Sequence, residues 1–313
     1  MLAPIVLFVY NRPSKTKETL EALASNTLAE GSVLYIFSDG PKKDADLIMQ
    51  KEITETRRVL RQKQWCGQVH IIESEKNNGL ANSIEDGITR IVNQYGKVIV
   101  LEDDIVTSPY FLTYMNAALD LYEKEDKVMH ISGFVPVTTG ANKLPETYFL
   151  RFMSCWGWAT WKRAWDKRIT DIPYLYKSLP VRSDFHDFNL NGSINQFSQI
   201  EQNYEGTLKT WAIKWYATIF INNGLCLYPH KSLVDNIGVD GSGTNSIALD
   251  NRYNVDLAGS IVVNKIPIKE NKYAKKYLQR FYIYGKDSSW KKRLKRYLKN
   301  TFLHDIYKNI RYK

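Results

Sequence analysis

The run Val98-Ile99-Val100-Leu101 ends in three consecutive acids, Glu102-Asp103-Asp104, and a turn signal, Ser108-Pro109, follows shortly after. An apolar run of this length, bounded by turn residues, reads as a buried strand. A strand that ends in clustered carboxylates places hard oxygen donors at the carboxyl edge of a sheet, where open α/β folds take their ligands. Carboxylates there suit Mg²⁺ or Mn²⁺, and such an ion usually completes its shell with substrate phosphates. Taken alone, the triplet reads more readily as three solvated acids in a strand-to-helix loop. The segments around it decide.

Working outward, the first 135 residues alternate in type. Pro4 to Tyr10, Val33 to Phe37, Val69 to Ile72 and Val128 to Ile131 read as further strands. Between them, Ser14 to Leu28 carries Leu20, Leu23 and Ala24 at helical spacing, with Ser14 as the N-cap. Asp44 to Leu60, Leu80 to Val92 (Ile84, Ile88 and Ile91 on one face) and Tyr110 to Tyr122 are further helices. Strands alternating with helices predict βαβ units and a mostly parallel, Rossmann-like sheet flanked by helices. Right-handed crossovers then bring every strand-to-helix loop to one edge.

That edge collects Asn11-Arg12-Pro13, Ser38-Asp39-Gly40-Pro41, Asn77-Asn78-Gly79 with Ala81-Asn82-Ser83, and the acidic triplet. Arg12 offers a guanidinium fork for a phosphate or carbonyl, and Asp39 an acceptor for an N–H of a base. Asn78-Gly79 lets a ligand approach backbone at a helix N-terminus, a natural anion site. Together these loops describe a site for a nucleotide diphosphate. Turn-forming preference accounts for each loop singly, but less readily for Arg12 and the acids together.

The second half is less regular. Ser154-Cys155-Trp156-Gly157-Trp158-Ala159-Thr160-Trp161 is an aromatic cluster whose composition favours core packing over sugar stacking. Trp211 to Phe220 reads as a buried helix and Leu225 to Tyr228 as a short strand. Asn236 to Asn245 is a glycine-spaced polar loop, readable as a lid or as an ordinary loop. Three widely spaced cysteines, Cys66, Cys155 and Cys226, show no metal spacing and read as reduced thiols of a cytosolic protein. The N-terminal run is too short for a signal-peptide core and lacks a basic flank.

The net charge of +10 is unevenly spread. Residues 270–313 hold 14 Lys/Arg against 3 Asp/Glu, leaving the first 269 at −1. A nucleic-acid binder would carry its basic residues through the body, so no nucleic-acid partner is expected. Trp290, Leu294, Tyr297, Leu298, Phe302, Ile306 and Ile310 fall roughly on one helical face, among six Lys/Arg between 291 and 299. A basic amphipathic helix of this kind predicts contact of residues 290–311 with an anionic membrane surface. A helix packed on the body is the plain alternative.

The ordered series of loops resembles the GT-A fold glycosyltransferases, in particular bacterial family 2-like enzymes, and is also similar to the N-acetylglucosaminyltransferase I type. The resemblance is carried by Tyr10-Asn11-Arg12-Pro13, Asp39, Glu102-Asp103-Asp104, Trp156-Gly157-Trp158-Ala159-Thr160-Trp161 and Asn236 to Thr244, over roughly residues 1–246. It implies transfer of a sugar from a nucleotide-diphosphate sugar, a UDP-sugar foremost, to an acceptor hydroxyl with Mn²⁺ or Mg²⁺. Inversion is the outcome it points to. Tyr10, Asn11, Arg12, Asp39, Asn78, Asn82 and Asp103 would hold the nucleotide. Asp104, with Glu102, would ligate the metal. Lys209 stands where relatives often have an acid before the second-half helix, and Asn245 where some have a metal-binding histidine. Glu205, Asp240 and Glu201 are left as candidates for the base, and His230 reads as a surface histidine rather than a ligand.

These readings predict a GT-A domain over 1–268, with a nucleotide half (1–135) and an acceptor half (136–268), followed by a basic helical appendage at 269–313. The expected role is synthesis of a surface polysaccharide or glycolipid, on a glycan or lipid-linked acceptor, at the inner face of a membrane. Two rivals stand beside it. One is a catalytically silent nucleotide- or glycan-binding homologue, suggested by Lys209 and Asn245. The other is a sugar-phosphate nucleotidyltransferase, which needs a Gly-rich phosphate loop where Asn11-Arg12-Pro13 stands.

Overall fold

The computed structural model describes residues 1–239 and 253–285. Its centre is an eight-stranded sheet in the order β3-β2-β1-β4-β8-β6-β9-β7. The strands are β1 (Ile5–Val9), β2 (Val33–Ser38), β3 (Gln68–Glu73), β4 (Lys97–Glu102), β6 (Val128–Ser132), β7 (Thr147–Leu150), β8 (Trp158–Trp161) and β9 (Leu225–Pro229). The first four are parallel. β8 enters antiparallel between β4 and β6, and β6 pairs parallel with β9. A separate antiparallel ribbon joins β5 (Ile105–Thr107) to β10 (Val234–Asn236).

Helices cover both faces of the sheet, so its strands alternate between two cores. Val6 and Phe8 of β1, with Val98 and Val100 of β4, pack toward α3 (Leu80–Tyr95) through Ile84, Ile88 and Ile91. Ile5, Leu7, Ile99 and Leu101 face the other core, with Leu20 and Leu23 of α1 (Pro13–Ala24), Val59 and Leu60 of α2 (Leu47–Leu60), and Leu112 and Met115 of α4 (Phe111–Leu121). Burial on both faces is why β1 and β4 read as unbroken apolar runs. The GT-A layout expected from the sequence is the layout observed. One detail differs: α1 begins at Pro13 with Arg12 at its cap, and the Ser14 hydroxyl instead bonds Glu18. Proline fits the first helical turn, where its missing N–H costs nothing.

The second half builds around α5 (Lys162–Trp165), α6 (Ile172–Ser178), α7 (Phe185–Phe188), α8 (Phe197–Tyr204) and α9 (Ala212–Ile221). Among the described residues, the segment just past the division drawn at residue 269 packs on the body. Helix α10 (Lys272–Tyr284) buries Ala274, Tyr277 and Leu278 in the same core as α3 and α9, and Phe281 against Tyr253. The Tyr277 hydroxyl donates to the Pro136 carbonyl (2.8 Å) and accepts from Thr138 N–H (2.9 Å). Lys275 bridges Asp187 and Glu270. The net charge of the 270–313 stretch hid this packing, because the helix's apolar face repeats every three to four residues between lysines. The amphipathic stretch at 290–311 lies outside the described residues. Among the described residues no helix is long and apolar enough to cross a membrane.

Candidate active site

Four parallel strands in adjacent order bring their C-terminal loops together. After β1, Tyr10 and Asn11 lean on α2: the Tyr10 hydroxyl lies 3.2 Å from Met49 Sδ, and Asn11 Nδ2 donates to Glu52 (2.9 Å). After β2, Asp39 is nearly buried and its carboxylate accepts three backbone N–H groups, from Gly40 (2.9 Å), Asn78 (2.9 Å) and Gly79 (3.0 Å). Asp39 therefore ties the β2 loop to the loop that opens α3. Gly79, with φ of +78°, adopts a conformation that disfavours other residues, and this turns its N–H toward Asp39. Asn78 and Asn82 are exposed, their amides donating to Ser74 Oγ and the Asn78 carbonyl (both 2.9 Å). Arg57 of α2 holds the same loops, donating to the carbonyls of Ser74 (2.7 Å) and Asp39 (3.3 Å). The sequence reading missed Arg57, whose only signal was a basic residue inside a charged helix.

The acidic triplet is not a strand-to-helix loop. Glu102 closes β4, Asp103-Asp104 form a turn, and β5 follows at once. Arg12 faces this turn. Its guanidinium pairs with Asp103 and donates to Asp104 Oδ2 (3.0 Å). The Asp103 carbonyl accepts from Thr19 Oγ1 (3.0 Å). Burial opposes the charge of Arg12, but Asp103 and Asp104 raise its pKa above the usual value. Glu102 is pushed up to about 8, by burial first and then by the charges of Asp104 and Asp103, against Arg12. Asp103 is likewise held above the carboxylate range by burial, against the pull of Arg12. Asp103 and Asp104 thus share one guanidinium, with Glu102 close enough to feel all three charges.

The second half closes on this turn from two sides. Ile237, just past β10, donates its N–H to the Asp104 carbonyl (2.9 Å), and Lys15 Nζ donates to the Ile237 carbonyl (2.6 Å). Cys155 lies near enough that the charges of Glu102 and Asp104 add to burial in lifting its thiol to about 12. Gly157, at φ +55°, packs so tightly that a Cβ would lie 2.7 Å from Val234 Cγ1, which explains a glycine between two tryptophans. Trp158 stacks on His130 (5.0 Å) and on Trp211 (5.3 Å), at the start of α9. Lys214 of α9 pairs with Glu85 of α3.

The remaining sequence candidates are dispersed. Glu201 is half-buried on α8 and Glu205 is exposed at its C-terminal end, and α8 packs on α6 and α9. Lys209 is exposed ahead of α9. His230 sits by Glu146 at the end of β9 (Nδ1 to the Glu146 carbonyl, 3.3 Å). Asp240 and Asn245 lie outside the described residues. Among the described residues no group of three or more His, Cys, Asp or Glu is arranged to hold a metal by itself. The three cysteines are free.

Comparison with known proteins adds the family. The family model for Glycosyl transferase family 2 matches residues 5–174, more than half of the 313. No curated protein sequence matches. Among solved structures, S. aureus TarS 1–349 is 11% identical, covering 74% of this chain and 59% of that one at a TM-score of 0.36. A longer S. aureus TarS structure is 16% identical, with 47% and 25% covered and a TM-score of 0.30. The galactosyltransferase LgtC, in complex with donor and acceptor sugar analogs, is 8% identical, with 69% and 70% covered and a TM-score of 0.33. The chain thus spans a quarter and about three fifths of the two TarS structures. The family match runs from β1 through the loops that carry Arg12, Asp39 and the acidic turn, and on past Trp158 into α6: the chain belongs to glycosyl transferase family 2.

Proposed function

We propose that this glycosyltransferase takes its sugar from a nucleotide-diphosphate donor, a UDP-sugar foremost, with a divalent cation at Asp104. The observation that carries the reading is the convergence of Arg12, Asp103 and Asp104 at the edge where the Asp39 and Asn78–Gly79 loops also end. The residues fit a cation. Asp103 and Asp104 together outweigh the one guanidinium, and a bound cation would favour the deprotonated form of Glu102, adding a third hard oxygen donor. Mg²⁺ and Mn²⁺ are commonly held through one or two carboxylates with substrate phosphates completing the shell. Asp104, with Glu102 beside it, is the proposed ligand. When bound, such an ion stabilises charge on a leaving diphosphate as a Lewis acid.

The chain's own residues do the rest. Arg12, anchored on Asp103, presents a positive face where phosphates would lie. Asp39 and Arg57 fix the loops that border the nucleotide. Trp158, Trp211 and the Lys214–Glu85 pair join the donor half to α9, where an acceptor would approach. An inverting transfer needs a carboxylate that takes the acceptor's proton. Glu201, Glu205 and Asp240 are the proposed candidates, on a glycan or lipid-linked acceptor of a surface polysaccharide or glycolipid. We further propose that residues 290–311 hold the enzyme to the inner face of a membrane.

The test is calorimetry of UDP, GDP, CDP and dTDP with Mn²⁺, followed by incubation with the sugar derivatives of whichever nucleotide binds. Metal-dependent binding of one diphosphate with slow donor hydrolysis is the expected result. Tight binding with no hydrolysis and no transfer to any acceptor marks a silent homologue, the reading that exposed Lys209 ahead of α9 favours. Failure of all four diphosphates to bind contradicts the proposal.

A further inference from the structure

Ile237, Gly238 and Val239 cross the acidic turn directly after β10. Besides the two bonds through Ile237, Gly238 N–H donates to Asn236 Oδ1 (2.8 Å). Gly238 is buried, and a Cβ built on it would lie 2.1 Å from Asp104 Oδ2 and 2.8 Å from Asp104 Cγ, with Asn236 Oδ1 next at 3.0 Å. Its φ is outside the left-handed region, so glycine is needed for space and not for conformation. Asp104 has little means of escape. Its side chain is short, its carbonyl is held by Ile237, and the same Oδ2 accepts from Arg12 Nη1. Any side chain at 238 must therefore rotate the Asp104 carboxylate off its bond to Arg12.

We infer that Gly238 is a positioning residue for the donor site: its bare backbone lies against Asp104 and sets where that carboxylate points. This rests on the reading of Asp104 as a cation ligand. The consequence is a specific coupling between the chain after β10 and the acidic turn. A methyl group at 238 impairs divalent-cation binding without touching any ligand atom covalently.

The experiment uses the full chain as wild type, Gly238→Ala, Asp104→Ala and the double variant. Mn²⁺ binding is followed by EPR of the free aquo ion, with and without UDP, and thermal melts are run in metal-free buffer. Gly238→Ala is expected to weaken Mn²⁺ binding by about tenfold, the scale of a lost supporting contact. Gly238→Ala is expected to lower the melting temperature much less in the Asp104→Ala background than in the wild type, because the carboxylate it collides with is gone and only the 3.0 Å approach to Asn236 Oδ1 remains. Wild-type Mn²⁺ affinity in Gly238→Ala overturns the inference, as does an equal melting penalty in both backgrounds. If Gly238→Ala alone does not fold, the double variant decides: folding like Asp104→Ala supports the inference, and failure to fold refutes it. A wild-type chain that takes up no Mn²⁺ even with UDP refutes the cation reading instead, and the melting comparison still decides the contact.

Discussion

His130 shows how one side chain can set a property of the whole domain. Its Nδ1 accepts from Trp215 Nε1 (3.2 Å), while Nε2 lies 3.0 Å from the Ser154 carbonyl, so the ring is the neutral Nε2–H form. A second proton would turn N–H against N–H inside a tryptophan stack. Burial accordingly holds the His130 pKa down to about 3, with the Ser154 carbonyl opposing it. An unfolded histidine titrates near 6.5, so the unfolded state takes up a proton over a range where the native state does not. The sign follows: stability is intact above pH ~6.5 and drains away as pH falls toward 3. At pH 5 the loss is about 2 kcal/mol, at ~1.4 kcal/mol per pH unit. Glu102, raised to about 8, shifts stability the opposite way over the same range, so the His130 contribution is read by difference: urea unfolding at pH 7.5 and 5.0 is expected to show about 2 kcal/mol less stability lost on acidification in His130→Gln than in the wild type. An unchanged difference in the variant locates the effect elsewhere. Nothing in the sequence around His130 announced it, because Trp215, Ser154 and His130 meet only in the fold.

At the scale of elements, α10 is the piece whose role changes most between sequence and structure. It supplies Tyr277 and Phe281 to the core, and Asn271 N–H donates to the Phe149 carbonyl on edge strand β7 (2.8 Å). A chain ending at residue 268 is expected to aggregate or melt far below the intact protein. One ending at Gly285 is expected to fold and to bind nucleotide. Circular dichroism melts of the two shortened chains check this, and a cooperative, native-like melt of the 1–268 chain contradicts it. The parallel half was legible because β1, β2 and β4 are buried on both faces and carry uninterrupted apolar runs, and because glycine, proline and asparagine mark their ends. β5, β7 and β10 were not, since strands of three or four residues leave no periodicity to read. The Trp158–Trp161 stretch is a strand because its partners β4 and β6 lie on either side, a long-range fact that composition does not carry. At the site, Arg12, Asp39 and the acids stand out as charges at strand ends. Arg57, Lys15 and Gly238 act through tertiary contacts, and no local pattern names them.

For the molecule as a whole, charge is divided: a near-neutral body of −1 through residue 269 and an excess of +11 beyond it. On the membrane proposal, the six Lys/Arg between 291 and 299 would supply ~1 kcal/mol each near an anionic surface. The chain ending at Gly285 is therefore expected to lose co-sedimentation with anionic liposomes while keeping nucleotide binding, and unchanged co-sedimentation refutes the membrane proposal. The central claim is narrower and concerns the acidic turn. It is tested most directly by titrating UDP into wild type and Asp104→Asn, each with Mn²⁺ and again after chelation. The expected result is that Mn²⁺ tightens UDP binding by tenfold or more in the wild type, on the order of one lost metal–phosphate contact, and has no effect in Asp104→Asn. Equal UDP affinity with and without Mn²⁺ in the wild type, or an undiminished Mn²⁺ effect in Asp104→Asn, contradicts it.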